Sequence, residues 1–174
     1  MKCHLATAMV VLLCASNVPA ASPYAGEDGR DIKALSGQDV DAYLTGKGMG
    51  FAKAAELNGY AGPKHVLEMA SELALSDEQR ARTQALFDSM QAKAVALGRQ
   101  LVDEERKLDR LFASATVTQH SLEGSVKRIG SLQADVRAAH LEAHLEQAQI
   151  LTAEQRAHYL QLRGYDSSAA HHAH

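Results

Sequence analysis

The apolar residues of the chain recur at seven-residue intervals over much of its second half. Between residues 76 and 113 there are two such registers. The first consists of Phe87, Ala94, Leu101 and Leu108, and the second of Met90, Leu97 and Leu111, with Glu104 as its one interruption. A narrow seam of this kind is typical of coiled-coil-like packing, whereas an ordinary globular helix has a wider apolar stripe. The spacing predicts a helical rod about 55 Å long, at roughly 1.5 Å of rise per residue.

A second set of apolar residues with the same spacing predicts a second rod. Residues 114–118 break the first rod, and either Thr118 or Ser121 can cap the helix that follows. The second seam consists of Leu122, Ile129, Val136, Ala143 and Ile150. We therefore predict an all-α fold, with a long antiparallel helical hairpin and short flanking helices. Since one thin hairpin leaves an apolar face uncovered, we also predict a homodimer.

Two similar five-residue motifs mark helix starts around the predicted hairpin. They are Leu75-Ser76-Asp77-Glu78-Gln79 and Leu151-Thr152-Ala153-Glu154-Gln155. In each motif a hydroxyl residue is followed three positions later by glutamine, which forms a capping box. We predict a short helix over residues 64–73 before the first rod and a last short helix ending near residue 163, so that residues 64–164 form one helical domain.

Residues 21–63 are punctuated by glycines and predict only short helices, over residues 36–44 and 51–57. The run Gly46-Lys47-Gly48-Met49-Gly50 has a superficial likeness to a phosphate loop. It lacks a preceding strand and the full glycine spacing, so we interpret it as a helix break.

The first twenty residues have the pattern of a cleavable secretory signal. Lys2 precedes an apolar stretch, residues 5–14, that is too short to span a bilayer. We predict export to the periplasm, with retention of this segment as a membrane anchor as the alternative. Because Cys3 and Cys14 both lie within it, the mature chain would have neither a disulfide nor a thiolate ligand.

Composition and charge narrow the function classes only a little. The chain is 46% hydrophobic with a formal net charge of −3, which argues against binding to nucleic acid. The sequence contains no G-x-S-x-G or H-E-x-x-H motif, and a thin hairpin leaves little room for a water-excluding cleft. We predict that the protein is not an enzyme.

The two helix-start motifs resemble the LTxxQ boxes of the Spy/CpxP superfamily of periplasmic proteins. The resemblance covers about residues 64–164 and implies a four-helix arrangement around a hairpin. It also implies one of two functions. Some members are ATP-independent chaperones that cradle unfolded clients on a dimer, and others are metal-binding proteins and sensors of the CnrX and ZraP kinds.

Two residue pairs at helical spacing are candidate metal ligands. His140 and His144 share one face of the second rod, and two imidazoles so spaced suit zinc, copper, nickel or cobalt. His65 and Met69 resemble the His-x-x-x-Met arrangement of CnrX-type sensors, in which three histidines and a methionine bind nickel or cobalt near a carboxylate. In a hairpin of this type the two pairs lie near the same end, so we predict one site from His65, Met69, His140 and His144. The alternative is that the histidines are partly buried seam residues and that Met69 belongs to the core; Met49 is a fainter candidate.

The chain ends in a histidine-rich tail over residues 165–174 that resembles the ends of ZraP-like members. We predict that it is flexible and binds metal more weakly, through His171, His172 and His174; a solvated terminus without a role is the alternative.

Two functional hypotheses follow. The first is a periplasmic metal-binding or metal-sensing protein, in which the ion fixes the first short helix against the rods. The second is a periplasmic chaperone for unfolded clients. An adaptor for a membrane-bound sensor partner is a third reading, and none of the three requires a cofactor.

Overall fold

The computed structural model describes residues 22–165, which form six helices and no strand. The predicted signal and the tail residues His171, His172 and His174 lie outside this range. None of the helices within it is both long enough and apolar enough to cross a membrane. The helices are α1 (Gly37–Thr45), α2 (Lys53–Glu56), α3 (Pro63–Glu68), α4 (Asp77–Ala113), α5 (Gln119–Ile150) and α6 (Ala153–Leu162).

The long helices begin where the local sequence predicts. The Ser76 hydroxyl accepts a hydrogen bond from the backbone N–H of Gln79 at 3.1 Å, and α4 then runs for 37 residues. The Thr152 hydroxyl accepts from the N–H of Gln155 at 3.2 Å and opens α6. Thr118 is the cap of α5. These starts are confirmed because each capping box satisfies backbone donors that a helix leaves free at its beginning.

Helix α3 is shorter than predicted. It ends at Glu68, and the chain then turns through residues 69–74, with Ala74 in the left-handed region at a φ of 48°. The turn brings both Leu73 and Leu75 into one apolar cluster with the fully buried Tyr159 of α6. No glycine or proline marks this turn, so tertiary packing ends the helix against its local propensity.

Helices α4 and α5 pack along each other, and their contacts run in opposite order along the two helices. Five residues of the two predicted seams are buried, namely Ala94, Leu101, Ile129, Val136 and Ala143. Side-chain contacts pair successively later residues of α4 with earlier ones of α5: Gln79 with Ile150, Thr83 with Gln147, Lys93 with Glu142, and Glu104 with Ser125.

A reciprocal pair of glutamines, here called the glutamine clamp, joins the two capping boxes. Gln79 donates from Nε2 to Oε1 of Gln155 at 2.8 Å, and Gln155 donates from Nε2 to Oε1 of Gln79 at 3.0 Å. Each Nε2 also donates to a backbone carbonyl, that of Ile150 at 2.9 Å and that of Leu73 at 3.1 Å respectively. The clamp therefore ties the start of α4, the end of α5 and the start of α6 to the turn after α3.

The N-terminal segment lies against α4 through a very close backbone contact. A Cβ added to Gly98 would lie 2.3 Å from the carbonyl oxygen of Tyr43 at α1, so only glycine allows this approach. Tyr43 and Ile32 join Leu101 and Val136 in the second apolar cluster. This contact places the loop after α1 beside the middle of the α4–α5 pair.

Candidate metal centre

A cavity of about 650 Å³ lies between the loop after α1, the start of α3, and the facing sides of α4 and α5. Three of the four predicted ligands line it, namely His65, His140 and His144. Glu56 of α2 lines it as well. The structure therefore brings together histidines from the two pairs that the sequence analysis singled out.

His144 is held in one orientation by a backbone carbonyl. Its Nδ1 lies 2.7 Å from the carbonyl oxygen of Tyr60, and because a carbonyl only accepts, Nδ1 carries the proton. The lone pair of Nε2 is then left for a ligand. Gly62 faces this edge of the ring, since a Cβ there would lie 3.0 Å from Nε2 and 2.9 Å from Cε1.

His140 lies deeper, one helical turn before His144, and is 6% exposed. Its ring stacks on Phe51, with centroids 5.9 Å apart and planes inclined by 27°. Its Nε2 is buried and has no hydrogen-bond partner among residues 22–165. Burial and the neighbouring His144 lower the pKa of His140, so the ring is neutral at pH 7 and keeps a lone pair.

His65 stands at the mouth of the cavity on α3. Its Nδ1 lies 2.8 Å from Oε2 of Glu68, and this hydrogen bond lowers the pKa of Glu68. Because an ionised carboxylate only accepts, the proton again lies on Nδ1 and Nε2 is left free. A carboxylate behind a histidine in this way is a common outer-shell arrangement around metal ions.

Glu56 has one satisfied and one unsatisfied carboxylate oxygen. Oε1 accepts hydrogen bonds from the hydroxyl of Tyr159 at 2.6 Å and from Nε of Arg163 at 3.2 Å. Oε2 is buried without a hydrogen-bond partner in the described part of the chain, 3.8 Å from Nδ1 of His144. Buried polar atoms are normally paired, so this oxygen in the lining of the cavity is available to a ligand.

Met69, the fourth predicted ligand, is not among the residues that line the cavity. It packs instead against the apolar cluster that contains Val66, Leu73 and Tyr159. Two other thioethers line the cavity, those of Met90 and of Met49. Met49 has a φ of 45°, which is unusual for a residue with a side chain.

No three side chains of the His, Cys, Asp or Glu type, as they stand within residues 22–165, are close enough together to hold a metal ion. An ion bound in the cavity would therefore require a side-chain movement or a further kind of donor. The side chain of His65 is 36% exposed, and a methionine sulfur is a second source of donors.

Comparison with known proteins identifies the family. The sequence profile described as heavy-metal resistance matches residues 42–158. The chain belongs to this family. The heavy-metal resistance family is part of the Spy/CpxP-like superfamily of periplasmic helical proteins, as the two capping motifs predict. Its members are typically exported and are not known to be enzymes. No curated protein and no solved structure matches the chain.

Two residues that line the cavity of this member of the heavy-metal resistance family were not predicted as site residues. Glu56 carries no motif and Met90 was predicted only as a seam residue, yet packing between elements far apart in sequence brings both to the cavity. The one local signal was the cluster of glycines over residues 46–62, because glycine in an irregular segment often marks a close approach to another group. Gly62 proves to be such a position.

Proposed function

We propose that this protein is a periplasmic heavy-metal-binding protein that holds a divalent ion in the cavity, as a buffer or sensor. The observation that carries the proposal is that His140 Nε2 and Glu56 Oε2 are both buried and unpaired where they line the same cavity, as far as residues 22–165 are concerned. A buried polar atom without a partner costs about 1–3 kcal/mol, and a bound cation would remove that cost.

The donors around the cavity suit zinc, copper, nickel or cobalt. Imidazole nitrogen is a favoured ligand of all four ions, while thioether sulfur adds a preference for softer ones. His144 and His65 each have Nδ1 committed to an acceptor, so that Nε2 would bind the ion. With His65 on α3 and His140 and His144 on α5, a bound ion would fix α3 against the α4–α5 pair.

A calorimetric titration with Zn²⁺, Cu²⁺, Ni²⁺ and Co²⁺ tests the proposal. The chain should start after the predicted signal and carry alanine at His171, His172 and His174, so that the tail does not contribute. We expect saturable binding with a sub-micromolar Kd, weakened at least 100-fold by His140→Ala or His144→Ala. His158→Ala, at an exposed position of α6, is the matched control. Equal affinity of the His140→Ala and control proteins would refute the site.

A chaperone function is the second candidate, and an apolar groove favours it. The groove, of about 500 Å³, lies where the N-terminal segment meets the end of α4, and Ala34, Leu108 and Phe112 line it. Phe112 is 57% exposed, which suits capture of an unfolded client. Metal-free protein should then suppress aggregation of a reduced, unfolding client at stoichiometric ratio, and Phe112→Ser should weaken that effect. No suppression by the unaltered protein would remove this candidate.

We further propose that α4 and α5 act as the helical hairpin of the superfamily and that two copies associate as a homodimer. The exposed apolar side chains Val126 and Leu145 of α5 support this, since they are 53% and 55% exposed in the single chain. Sedimentation of the purified protein tests the dimer, and a monomer at micromolar concentration would contradict it. A membrane-bound sensor would be the partner of such a dimer if the metal acts as a signal.

A further inference from the structure

The carboxylate of Glu56 is shared between the cavity and helix α6. Its Oε1 accepts the hydroxyl of Tyr159 at 2.6 Å and Nε of Arg163 at 3.2 Å, whereas its Oε2 lines the cavity unpaired. Tyr159 is fully buried and belongs to the apolar cluster around Leu73, so its hydroxyl position is fixed by packing. One side chain thus contacts both the candidate ligands and the last helix.

We propose that Glu56 couples metal binding to the docking of α6, with Tyr159 and Arg163 as the positioning residues. This inference rests on the proposed metal site. Oε2 of Glu56 would bind the ion, while Oε1 stays hydrogen-bonded to α6. Metal and docked α6 would then stabilise each other, because each favours the same orientation of one carboxylate.

The direction of the coupling follows from the two sets of contacts. Tyr159 and Arg163 both donate to Oε1, so they turn Oε2 toward the cavity without competing for it. A cation at Oε2 in turn adds a partner to a carboxylate that is only 12% exposed. Outer-shell contacts of this kind typically change metal affinity by about 10- to 100-fold when they are removed.

Coupling between two sites is reciprocal by thermodynamic necessity. If docking of α6 raises the affinity for the metal by some factor, the metal must raise the stability of the docked helix by the same factor. Arg163, the C-cap of α6, and Tyr165, two residues further on, both line the cavity. Binding of the metal would therefore change how stably α6 is docked against the rest of the protein.

The experiment compares Zn²⁺ affinity and amide hydrogen exchange in four full-length proteins that carry alanine at the three tail histidines. They are the otherwise unaltered chain, Tyr159→Phe, Arg163→Gln and the control Tyr24→Phe. The control variant also loses a tyrosine hydroxyl, but Tyr24 is 72% exposed and is not among the residues that line the cavity. Circular dichroism verifies that each variant is folded.

We expect Tyr159→Phe and Arg163→Gln to weaken Zn²⁺ binding at least tenfold and Tyr24→Phe to leave it within twofold. Zn²⁺ should slow exchange of the α6 amides in the unaltered protein and lose that effect in Tyr159→Phe. Tight binding by all four proteins, or faster α6 exchange with Zn²⁺, would overturn the coupling and leave the metal site standing. Absence of binding by the unaltered protein would overturn the proposed function itself.

Discussion

The glutamine clamp and the cavity differ in how completely their buried polar groups are hydrogen-bonded. In the clamp each Nε2 donates twice and each Oε1 accepts twice, from the partner glutamine and from the backbone N–H of Ser76 or Thr152. In the cavity His140 Nε2 and Glu56 Oε2 have no partner within the described range. Helices α4 and α5 contribute to both regions.

Under the proposed function, the difference separates polar groups that hold the fold together from polar groups that would bind an ion. A fully satisfied buried network is rigid and specifies one arrangement of its helices. A buried polar network with unpaired atoms lowers the stability of the fold, and such networks are found where a bound ligand pairs those atoms. A third unpaired atom, Gln147 Oε1, lies between the two regions, where its own Nε2 donates to Thr83 at 3.1 Å. It does not line the cavity, so we assign it no ligand.

The largest expected effect comes from breaking the clamp. Gln155→Ala would remove the donor to the carbonyl of Leu73 and both hydrogen bonds between the two glutamines, so we expect a loss of about 2–4 kcal/mol in the free energy of unfolding. Gln161→Ala, at an exposed position of the same helix, is the control and should change stability by less than about 0.5 kcal/mol. Urea unfolding followed by circular dichroism measures both. Equal stability of the two variants would show that the clamp contributes nothing.

A smaller effect, confined to binding, is expected from Gly62→Ala. The backbone at Gly62 has a φ of −84° and a ψ of 141°, which alanine adopts readily, so stability should change little. The new Cβ would lie 2.9 Å from Cε1 of His144 and would push the ring from its position. We expect Zn²⁺ affinity to fall at least tenfold, and Gly130→Ala, where a Cβ meets nothing within 4 Å, to leave it unchanged. If both variants bound Zn²⁺ as tightly as the unaltered protein, the ion would not be bound beside His144.

The smallest effect tests whether the cavity lowers stability. In metal-free protein, His140→Leu removes an unpaired buried nitrogen but also the stack on Phe51, so we expect a net gain below about 1 kcal/mol at pH 7. The folded pKa of His140 is lowered from 6.5, so its neutral ring favours folding above that pH, and the advantage is lost as the pH falls. Stability between pH 7 and 5 should therefore decline less in His140→Leu than in the unaltered protein, measured by urea unfolding with a chelator. A parallel decline would contradict the lowered pKa.

The parts of the fold that could be predicted are those with local causes. Seven-residue apolar spacing predicted the two long helices, and the hydroxyl–glutamine boxes predicted the starts of α4 and α6, because both signals act within a few residues of chain. The start of α5 was left between Thr118 and Ser121, and Thr118 is the cap. The early end of α3 could not be predicted, since the left-handed turn at Ala74 is imposed by distant packing. Gly98 was visible as a lone glycine in α4, but only the structure shows the carbonyl of Tyr43 against it.

The residues of the candidate site also fall into two groups, those predicted from local spacing and those that depend on tertiary structure. The four-residue spacing placed His140 and His144 on one face of a helix, and the structure has them lining one cavity together with His65. Met69 has the same spacing from His65, yet packing turns it toward the apolar cluster instead. Glu56 approaches His144 across 88 positions of sequence in a segment without a motif. Contacts of that kind depend on tertiary structure, which no spacing rule reports.

The separation of the clamp residues along the chain also sets an order of assembly. Gln79 and Gln155 are 76 positions apart, whereas α4 and α5 meet first beside the short connection at residues 114–118. Since the entropy of closing a loop grows with its length, pairing is expected to start at this connection and move away from it. Among the contacts between α4 and α5, those near the clamp are then the last to form in folding and the first to open. Its hydrogen bonds would lengthen the lifetime of the folded chain by slowing unfolding, with little influence on how fast the chain folds.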